Sequence, residues 1–355
     1  MSSRQHFLKL AMGVTLASAC GVHAAADPNF HVYLAFGQSN MEGVAPAEAK
    51  DQTAHPRYKV LSPVTCSQMS DGKNVSRTQN QWAPAVAPIV RCDTHLSILD
   101  WFGRNLADSL PSSITIGVVP VAVGGTAITG FIENEAASYY KTQPTWMQQF
   151  AANYGSNPYT RLVATAKIAQ QSGVIKGILF HQGETDAGPG TWGDKVKSIY
   201  EKLLVDLGLN ARDVPFLAGE VYNNPSKNSA IGALSKSIPT AYVISANGLT
   251  IGTYANNQGV HFSADSYREF GKRYAQQMLK LLKMSSVDHS GRATTFSAGE
   301  FIVYDAKGTR MGGFNATDLA SMEVGWSGLS KTLPNGIYWV RNAATGSALK
   351  FVTGI

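Results

Sequence analysis

Short apolar runs alternate with longer amphipathic segments over residues 30–283, and each pattern predicts its own kind of element. Apolar runs rich in β-branched and aromatic residues are typical of buried strands, here at 30–35, 114–123, 174–180, 214–221 and 241–245. Apolar residues three and four positions apart predict helices at 98–110, 159–171, 191–207 and 226–237, and one after Ser263. Strands that alternate with helices indicate an α/β fold with a doubly wound parallel sheet.

Two stretches in this part lack a clear period. Residues 46–91 have little periodicity and many polar and proline residues, and residues 127–158 are polar and aromatic with breaks at Pro144 and Pro158, so we predict two long loops there. Loops of this kind often form the walls of a ligand cleft.

The character of the chain changes after Lys283. Residues 284–297 are polar and predict a linker between a domain at 25–283 and a smaller unit at 298–355. Short alternating strands follow at 300–305, 336–341 and 348–353, with turn residues before or after them. The sequence therefore predicts a small C-terminal β module.

The first 24 residues have the organisation of a secretory signal peptide. Arg4 and Lys9 precede a mostly apolar stretch at 10–22, and Val22-His23-Ala24 supplies small residues before a cleavage point. The stretch is too short for a membrane span, so we expect no stable membrane insertion. Lipidation at Cys20 is a second interpretation.

The composition excludes some classes of protein. The 355 residues are 44% hydrophobic, which is enough for one large core and a smaller unit. The net charge is +6, and cleavage of the signal would leave 28 basic and 24 acidic residues, a net charge of +4. Because the basic residues are scattered and not interleaved with aromatic ones, nothing indicates nucleic-acid binding.

Two cysteines, Cys66 and Cys92, would remain after cleavage, in a compartment that oxidises thiols. They bracket one predicted loop, so we expect a disulfide between them, with two separate thiols as the alternative. No Cys-x-x-Cys or paired-histidine spacing accompanies them, so no metal site is predicted.

Four short blocks carry residues suited to catalysis. The first, Gly-Gln-Ser-Asn-Met at 37–41, follows the strand at 30–35 and places Ser39 at the carboxyl end of a strand, where open α/β sheets bind ligands. Gly37 and Gly43 leave room around Ser39, which makes it a candidate nucleophile, although an ordinary polar turn has the same pattern. The other blocks are Gly124-Gly125-Thr126, His181-Gln182-Gly183-Glu184 and Gly259-Val260-His261-Phe262.

In this order the four blocks resemble the SGNH hydrolase superfamily, specifically its branch with carbohydrate esterase family 6 and the sialate O-acetylesterases. The resemblance spans about residues 30–283 and implies a flavodoxin-like sheet and an acetylesterase activity without metal or organic cofactor. It implies Ser39 as the nucleophile, His261 as the general base and Glu184 as the carboxylate that orients His261, with Asp186 as a substitute. Most relatives carry an aspartate three residues before the histidine, where this chain has Gln258, so a Ser–His dyad stays open.

The resemblance also implies donors for the negative oxygen that forms during ester attack. These are the backbone N–H groups of Ser39 and Gly125 and the side-chain amide of Gln182, while His181 is expected to be structural. Candidate substrate contacts are the following: Gln38, Asn40, Trp82 and Thr126, with Tyr139, Tyr140 and Trp146 in the second predicted loop. Trp82 is equally suited to closing the base of its loop.

The implied function is a secreted serine esterase that removes O-acetyl groups from plant polysaccharide, with acetylated xylan as the leading substrate. O-acetyl sialic acid is the alternative, and Arg57, Arg77 and Arg91 are available to hold its carboxylate. A non-catalytic carbohydrate-binding protein on the same scaffold is a further hypothesis.

The last strands resemble the β-rich C-terminal sorting domains of some Gram-negative bacteria, on the run Asn335-Gly336-Ile337-Tyr338-Trp339-Val340-Arg341. This resemblance implies contact with secretion machinery and export through the periplasm to the surface or medium. An accessory carbohydrate-binding module is the other interpretation.

Overall fold

A seven-stranded sheet lies at the centre of the larger part of the molecule. The computed structural model describes residues 26–67, 76–254, 257–290, 299–305, 307–317, 325–326, 328–334, 336–343 and 348–353. The predicted signal peptide lies outside these residues. The strands are β1 (Asp27–Gly37), β2 (Tyr58–Leu61), β3 (Trp82–Pro84), β4 (Thr115–Ala122), β5 (Gly173–His181), β6 (Phe216–Gly219) and β7 (Ala241–Ile244).

The sheet has the order β3-β2-β4-β1-β5-β6-β7, and only the β2–β3 pair is antiparallel. The helices are α1 (Ser39–Glu42), α2 (Ile98–Ser109), α3 (Ala136–Lys141), α4 (Thr145–Ala152), α5 (Pro158–Ala169), α6 (Trp192–Leu207), α7 (Pro225–Ser237) and α8 (Ala264–Ser290), with a 3-10 turn at Ile128–Phe131. One buried cluster joins the sheet to α5, α6 and α7, and a second joins it to α2 and α8. Helices thus cover both faces, which confirms the predicted doubly wound α/β class.

Local sequence signals mark where the helices begin and end. Ser97 and Asp100 form a capping box at the start of α2. Asn157 and Asn224 cap α5 and α7, and each is followed by a proline, whose missing N–H is not needed at that position. Gly208 ends α6 in the left-handed conformation that a glycine adopts without strain.

Both predicted loops contain short elements that the pattern did not show. β2 and β3 extend the sheet within 46–91, and the 3-10 turn, α3 and α4 lie within 127–158. A segment of three to eight residues is too short to display a period, and its structure comes from packing. Cys66 and Cys92 are disulfide-bonded, with their Cα atoms 5.4 Å apart.

The C-terminal strands form a separate antiparallel sheet. Its strands are β8 (Gly299–Asp305), β9 (Arg310–Ala316), β10 (Gly336–Asn342) and β11 (Ala348–Thr353), in the order β11-β10-β8-β9. β9 was not predicted because Gly312 and Gly313 interrupt its alternation. Helix α8 continues to Ser290, so the first half of the predicted linker is helical. No helix in the described part of the chain is long and apolar enough to cross a membrane.

The strand register brings three strand ends to one level. Gly37 at the end of β1 pairs with Ala122 of β4 on one side and with His181 of β5 on the other. A side chain at position 37 would overlap the carbonyl oxygen of His181, so only glycine fits between these strands. Three of the four catalytic blocks therefore begin side by side at one edge of the sheet.

The close packing of α2 against α8 depends on Gly271. A Cβ atom at this position would overlap the carbonyl oxygen of Ile98 and would lie 2.8 Å from the backbone nitrogen of Phe102. We expect Gly271→Ala to lower the free energy of unfolding by about 1–3 kcal/mol, although alanine favours helices. Gly232→Ala in α7 is the matched control, because no atom lies within 4 Å of its added carbon. This control should raise the free energy of unfolding by about 0.5–1 kcal/mol. Denaturant titration measures both, and an equally stabilised Gly271→Ala protein would contradict the packing argument.

Candidate active site

Ser39 and His261 meet at the carboxyl edge of the sheet. Ser39 begins α1 directly after β1, His261 lies just before α8, and the two are only 8% and 6% exposed. The Nε2 atom of His261 lies 2.9 Å from Oγ of Ser39. An imidazole at this distance can take the hydroxyl proton as the oxygen attacks a carbonyl carbon. The structure thus brings together two residues that are 222 positions apart in the chain.

Asn40 holds the loop of His261 on both sides. Its Nδ2 atom donates to the carbonyl oxygen of Val260 at 3.0 Å, and its Oδ1 atom accepts from the nitrogen of Phe262 at 3.4 Å. The hydroxyl of Tyr267 on α8 donates to the same Oδ1 at 2.6 Å. Asn40 is fully buried and directly follows Ser39, so one side chain ties the loop of the base to the turn of the nucleophile.

Glu184 binds the side-chain amide of Asn40. Its Oε1 atom accepts from Nδ2 of Asn40 at 2.5 Å and lies 3.0 Å from Nε2 of His181. Burial disfavours the charged carboxylate, but the interaction with His181 and the hydrogen bonds from His181 and Asn40 outweigh it. The pKa of Glu184 therefore lies below its ordinary value.

The predicted direct contact between Glu184 and His261 is not formed. Among the described residues, Glu184 hydrogen-bonds with His181 and Asn40, because the Asn40 amide stands between it and the loop of the base. Asp186 accepts instead from the nitrogen of Ile128 at 3.1 Å and from the amide of Gln182. Gln258 is exposed and has a left-handed backbone.

The Gly124–Gly125 turn after β4 lies against the nucleophile. A Cβ atom on Gly124 would lie 3.8 Å from that of Ser39, and Gly125 has a φ of +70°, which glycine adopts without strain. Among the described residues, no protein acceptor takes the N–H of Ser39 or of Gly125. Both N–H groups therefore remain available as hydrogen-bond donors beside the nucleophile.

Gln182 does not have its predicted role. Its Nε2 atom donates to Oδ1 of Asp186 at 2.6 Å and to the carbonyl oxygen of Thr126 at 3.2 Å, and its Oε1 atom accepts from Trp192 at 2.7 Å. Both amide hydrogens are thus used inside the protein, and the side chain is fully buried. Gln182 supports the Gly124–Gly125 turn through Thr126 and does not donate to an oxyanion.

Of the first four predicted substrate contacts, three support the site from inside. Oε1 of Gln38 accepts from the nitrogens of Gly183 and Thr185 at 3.2 and 3.3 Å. Thr126 is fully buried, and its hydroxyl lies 3.0 Å from that of Tyr140. Asn40 is also fully buried, as described above. None of the three lines a surface that a substrate can reach, because each side chain fills a gap between strand ends.

Trp82, the fourth, lies at the other end of the sheet. Its ring centre is 4.6 Å from that of Phe30 near the start of β1, and its Nε1 atom donates to Ser172 at 3.1 Å. Trp82 thus packs near the amino-terminal ends of β1 and β5, away from Ser39.

A buried ion pair that was not predicted lies beneath the Gly124–Gly125 turn. Arg91 donates to Oε1 of Glu42, which also accepts from the nitrogen of Gly124 at 3.2 Å. The guanidinium of Arg91 lies 4.3 Å from the ring centre of Phe150. The only signal for this pair is the place of Glu42 inside the nucleophile turn, since Arg91 has no motif around it.

The arginines that we considered as carboxylate ligands are all engaged. Arg57 donates to the carbonyl oxygens of Pro111 and Ile114, and Arg77 to those of Pro88 and Ile89. Burial lowers the pKa of Arg77 to about 10. Among the described residues, no group of three or more His, Cys, Asp and Glu side chains could hold a metal ion.

A serine hydroxyl beside an imidazole and two available N–H donors, at the carboxyl edge of a doubly wound sheet, defines a serine-dependent ester hydrolase. Residues 29–280 match the family model of carbohydrate esterases described as sialic acid-specific acetylesterases. The chain belongs to this family, and the predicted resemblance to the sialate O-acetylesterases is confirmed.

Two solved structures share the fold. A protein from Arabidopsis thaliana is 19% identical, with a TM-score of 0.54, over 72% of this chain and 99% of that protein. The structure of NanS is 17% identical, with a TM-score of 0.53, over 74% of this chain and 99% of NanS. At these identities the likeness shows the fold.

Removing the amide of Asn40 tests whether it positions the base. We expect Asn40→Ala to lower kcat for p-nitrophenyl acetate by about 10²-fold, because the loop of His261 loses its hydrogen bonds on both sides. Asn105→Ala is the control, since among the described residues the Asn105 amide donates within α2, to the carbonyl oxygen of Trp101, and its kcat should be unchanged. Steady-state kinetics at one pH, with a thermal melt of each variant, measures the effect. A kcat unchanged by Asn40→Ala would remove Asn40 from the positioning of His261.

Proposed function

We propose that this acetylesterase removes O-acetyl groups from sialic acid. The match of residues 29–280 to the sialic acid-specific family carries the proposal, because it covers all four catalytic blocks. Nothing comparable favours acetylated xylan, the substrate that the sequence analysis placed first. The contact between Ser39 and His261 also argues against the non-catalytic alternative, since the nucleophile and its base are in place.

The proposed reaction begins when Oγ of Ser39 attacks the acetyl carbonyl carbon and Nε2 of His261 takes its proton. The carbonyl oxygen becomes negative and accepts hydrogen bonds from the nitrogens of Ser39 and Gly125. The C–O bond to the sugar then breaks, and His261 returns the proton to the departing sugar oxygen. Water attacks the acetyl-serine through the same steps, which releases acetate and restores Ser39.

Acetate release from two substrates tests this proposal. We expect a kcat/KM for O-acetyl sialic acid at least ~10-fold above that for acetylated xylo-oligosaccharides. Ser39→Ala should lower kcat by ~10⁴-fold or more on either substrate, because no other nucleophile is in place. Ser235→Ala, on the exposed side of α7, is the matched control and should not change either rate. A preference for the xylan substrate would contradict the substrate assignment, and turnover by Ser39→Ala would contradict the mechanism.

We also propose that the protein acts outside the cytoplasm. The signal-like pattern of residues 1–24 and the Cys66–Cys92 disulfide support this location, because such bonds persist in oxidising compartments. The C-terminal sheet is proposed to take part in export. Amino-terminal sequencing of the protein from culture medium and periplasm would test the location, since an uncleaved protein confined to the cytoplasm contradicts it.

A further inference from the structure

We propose that Trp146 and Lys227 form a recognition rim beside the oxyanion donors, in which the indole stacks on the acetylated sugar ring and the ammonium receives the sugar's carboxylate. The second half of this assignment rests on the proposed function, because only an acidic sugar brings a carboxylate. The first half requires only that the substrate is a sugar.

Trp146 is exposed beside the Gly124–Gly125 turn. Its side chain is 46% exposed, and a Cβ atom on Gly125 would lie 2.8 Å from the edge of its indole. The indole thus adjoins the residue whose N–H is placed to hold the acetyl oxygen. In the proposed complex the acetyl group lies at this N–H and its sugar ring lies against this indole. An indole that is half open to water beside the nucleophile offers an apolar face on which a sugar ring can stack.

The indole is also held in place. Trp146 packs edge-to-face on Phe150, with ring centres 5.6 Å apart, and Phe150 covers the guanidinium of Arg91. Arg91 in turn binds Glu42, which accepts from the nitrogen of Gly124. This chain of contacts returns to the Gly124–Gly125 turn, so the platform and the oxyanion donors are fixed relative to each other. A fixed aromatic ring binds with little loss of conformational entropy.

Lys227 reaches the same turn from the other direction. The hydroxyl of Thr185 donates to the carbonyl oxygen of Gly125 at 2.9 Å, and Nζ of Lys227 donates to the carbonyl oxygen of Thr185 at 3.4 Å. Thr185 is exposed, so this ammonium lies at the open rim of the site. Lys227 is in the first turn of α7, where the helix dipole adds positive potential for an anion.

The three arginines considered above as carboxylate ligands are engaged within the protein, and Lys227 differs from them. Arg91 is 2% exposed and paired with Glu42, and Arg57 and Arg77 are bound to backbone carbonyl oxygens. Lys227 has a long, weak hydrogen bond to a neutral oxygen, which a carboxylate would replace with a stronger, charge-assisted one. An acidic sugar on the platform therefore gains a contact that a neutral sugar lacks.

The first test removes the platform. We expect Trp146→Ala to lower kcat/KM for O-acetyl sialic acid by ~10-fold, mainly through KM, and to change p-nitrophenyl acetate hydrolysis less than about twofold, because that substrate has no sugar ring. Trp146→Phe should keep most of the affinity. Trp339→Ala is the matched control, since Trp339 is 44% exposed in the C-terminal sheet, and should change neither rate. An equal loss of kcat/KM on both substrates would contradict the role of Trp146 in sugar binding. It would indicate instead that Trp146 stabilises the Gly124–Gly125 turn.

The second test removes the ammonium. We expect Lys227→Met to raise KM for O-acetyl sialic acid by ~10-fold at low salt and less at high salt, with no change for the carboxyl methyl ester of the same sugar. Lys236→Met removes a charge nine residues further along α7 and should leave all rates unchanged. Equal effects of Lys227→Met on the acid and its methyl ester would overturn the assignment of the carboxylate contact.

The wild-type protein separates these outcomes from a failure of the proposed function. If it prefers acetylated xylo-oligosaccharides, the sialic acid assignment fails together with the role of Lys227. Trp146→Ala, with Trp339→Ala as its control, then tests the platform on the xylo-oligosaccharide. A ~10-fold loss of kcat/KM in Trp146→Ala supports the platform, and an unchanged value contradicts it.

Discussion

The parallel register around Gly37 is the constraint on which the site depends. β1 lies between β4 and β5, and all three end at the level where Gly37 pairs with Ala122 and His181. Because no side chain separates these strand ends, the turns that follow them are in contact, and the nucleophile, the oxyanion donors and the carboxylate of Glu184 come from three consecutive turns of one edge. A sheet that ended its strands at different levels would separate these groups by several ångströms, since each residue adds ~3.3 Å to a strand.

The base is positioned through the backbone of its loop. Glu184 accepts a hydrogen bond from Asn40, and Asn40 hydrogen-bonds to the residues before and after His261. The carboxylate therefore acts on the imidazole indirectly, through Asn40. This arrangement gives a physical account of the exposed Gln258, because the geometry of the base does not depend on a carboxylate at that position. Buried hydrogen bonds of this kind are costly to break one at a time, which favours the conformation of the loop that makes them.

Two charged residues, a type that is usually exposed, are buried beneath the site. The Arg91–Glu42 pair lies beneath the Gly124–Gly125 turn, and its charges are compensated by each other and by backbone groups. Trp146 shows the opposite case, since an aromatic residue in a predicted loop is left half in water. Which side chains near the site are buried depends on how the loops pack in three dimensions. The local sequence pattern does not predict that packing.

Sequence alone determined the long strands and helices, their alternation, the Ser39 and His261 blocks and the cysteine pair, because each follows from a period, a cap or a motif within a short stretch. It did not determine the short elements within the two predicted loops, nor which polar side chains face a substrate. Gln182, predicted as an oxyanion donor, turned inward because Asp186, Thr126 and Trp192 satisfy its amide. Such partners lie on different elements, so only the packing of the whole chain decides which hydrogen-bonding groups remain available for chemistry.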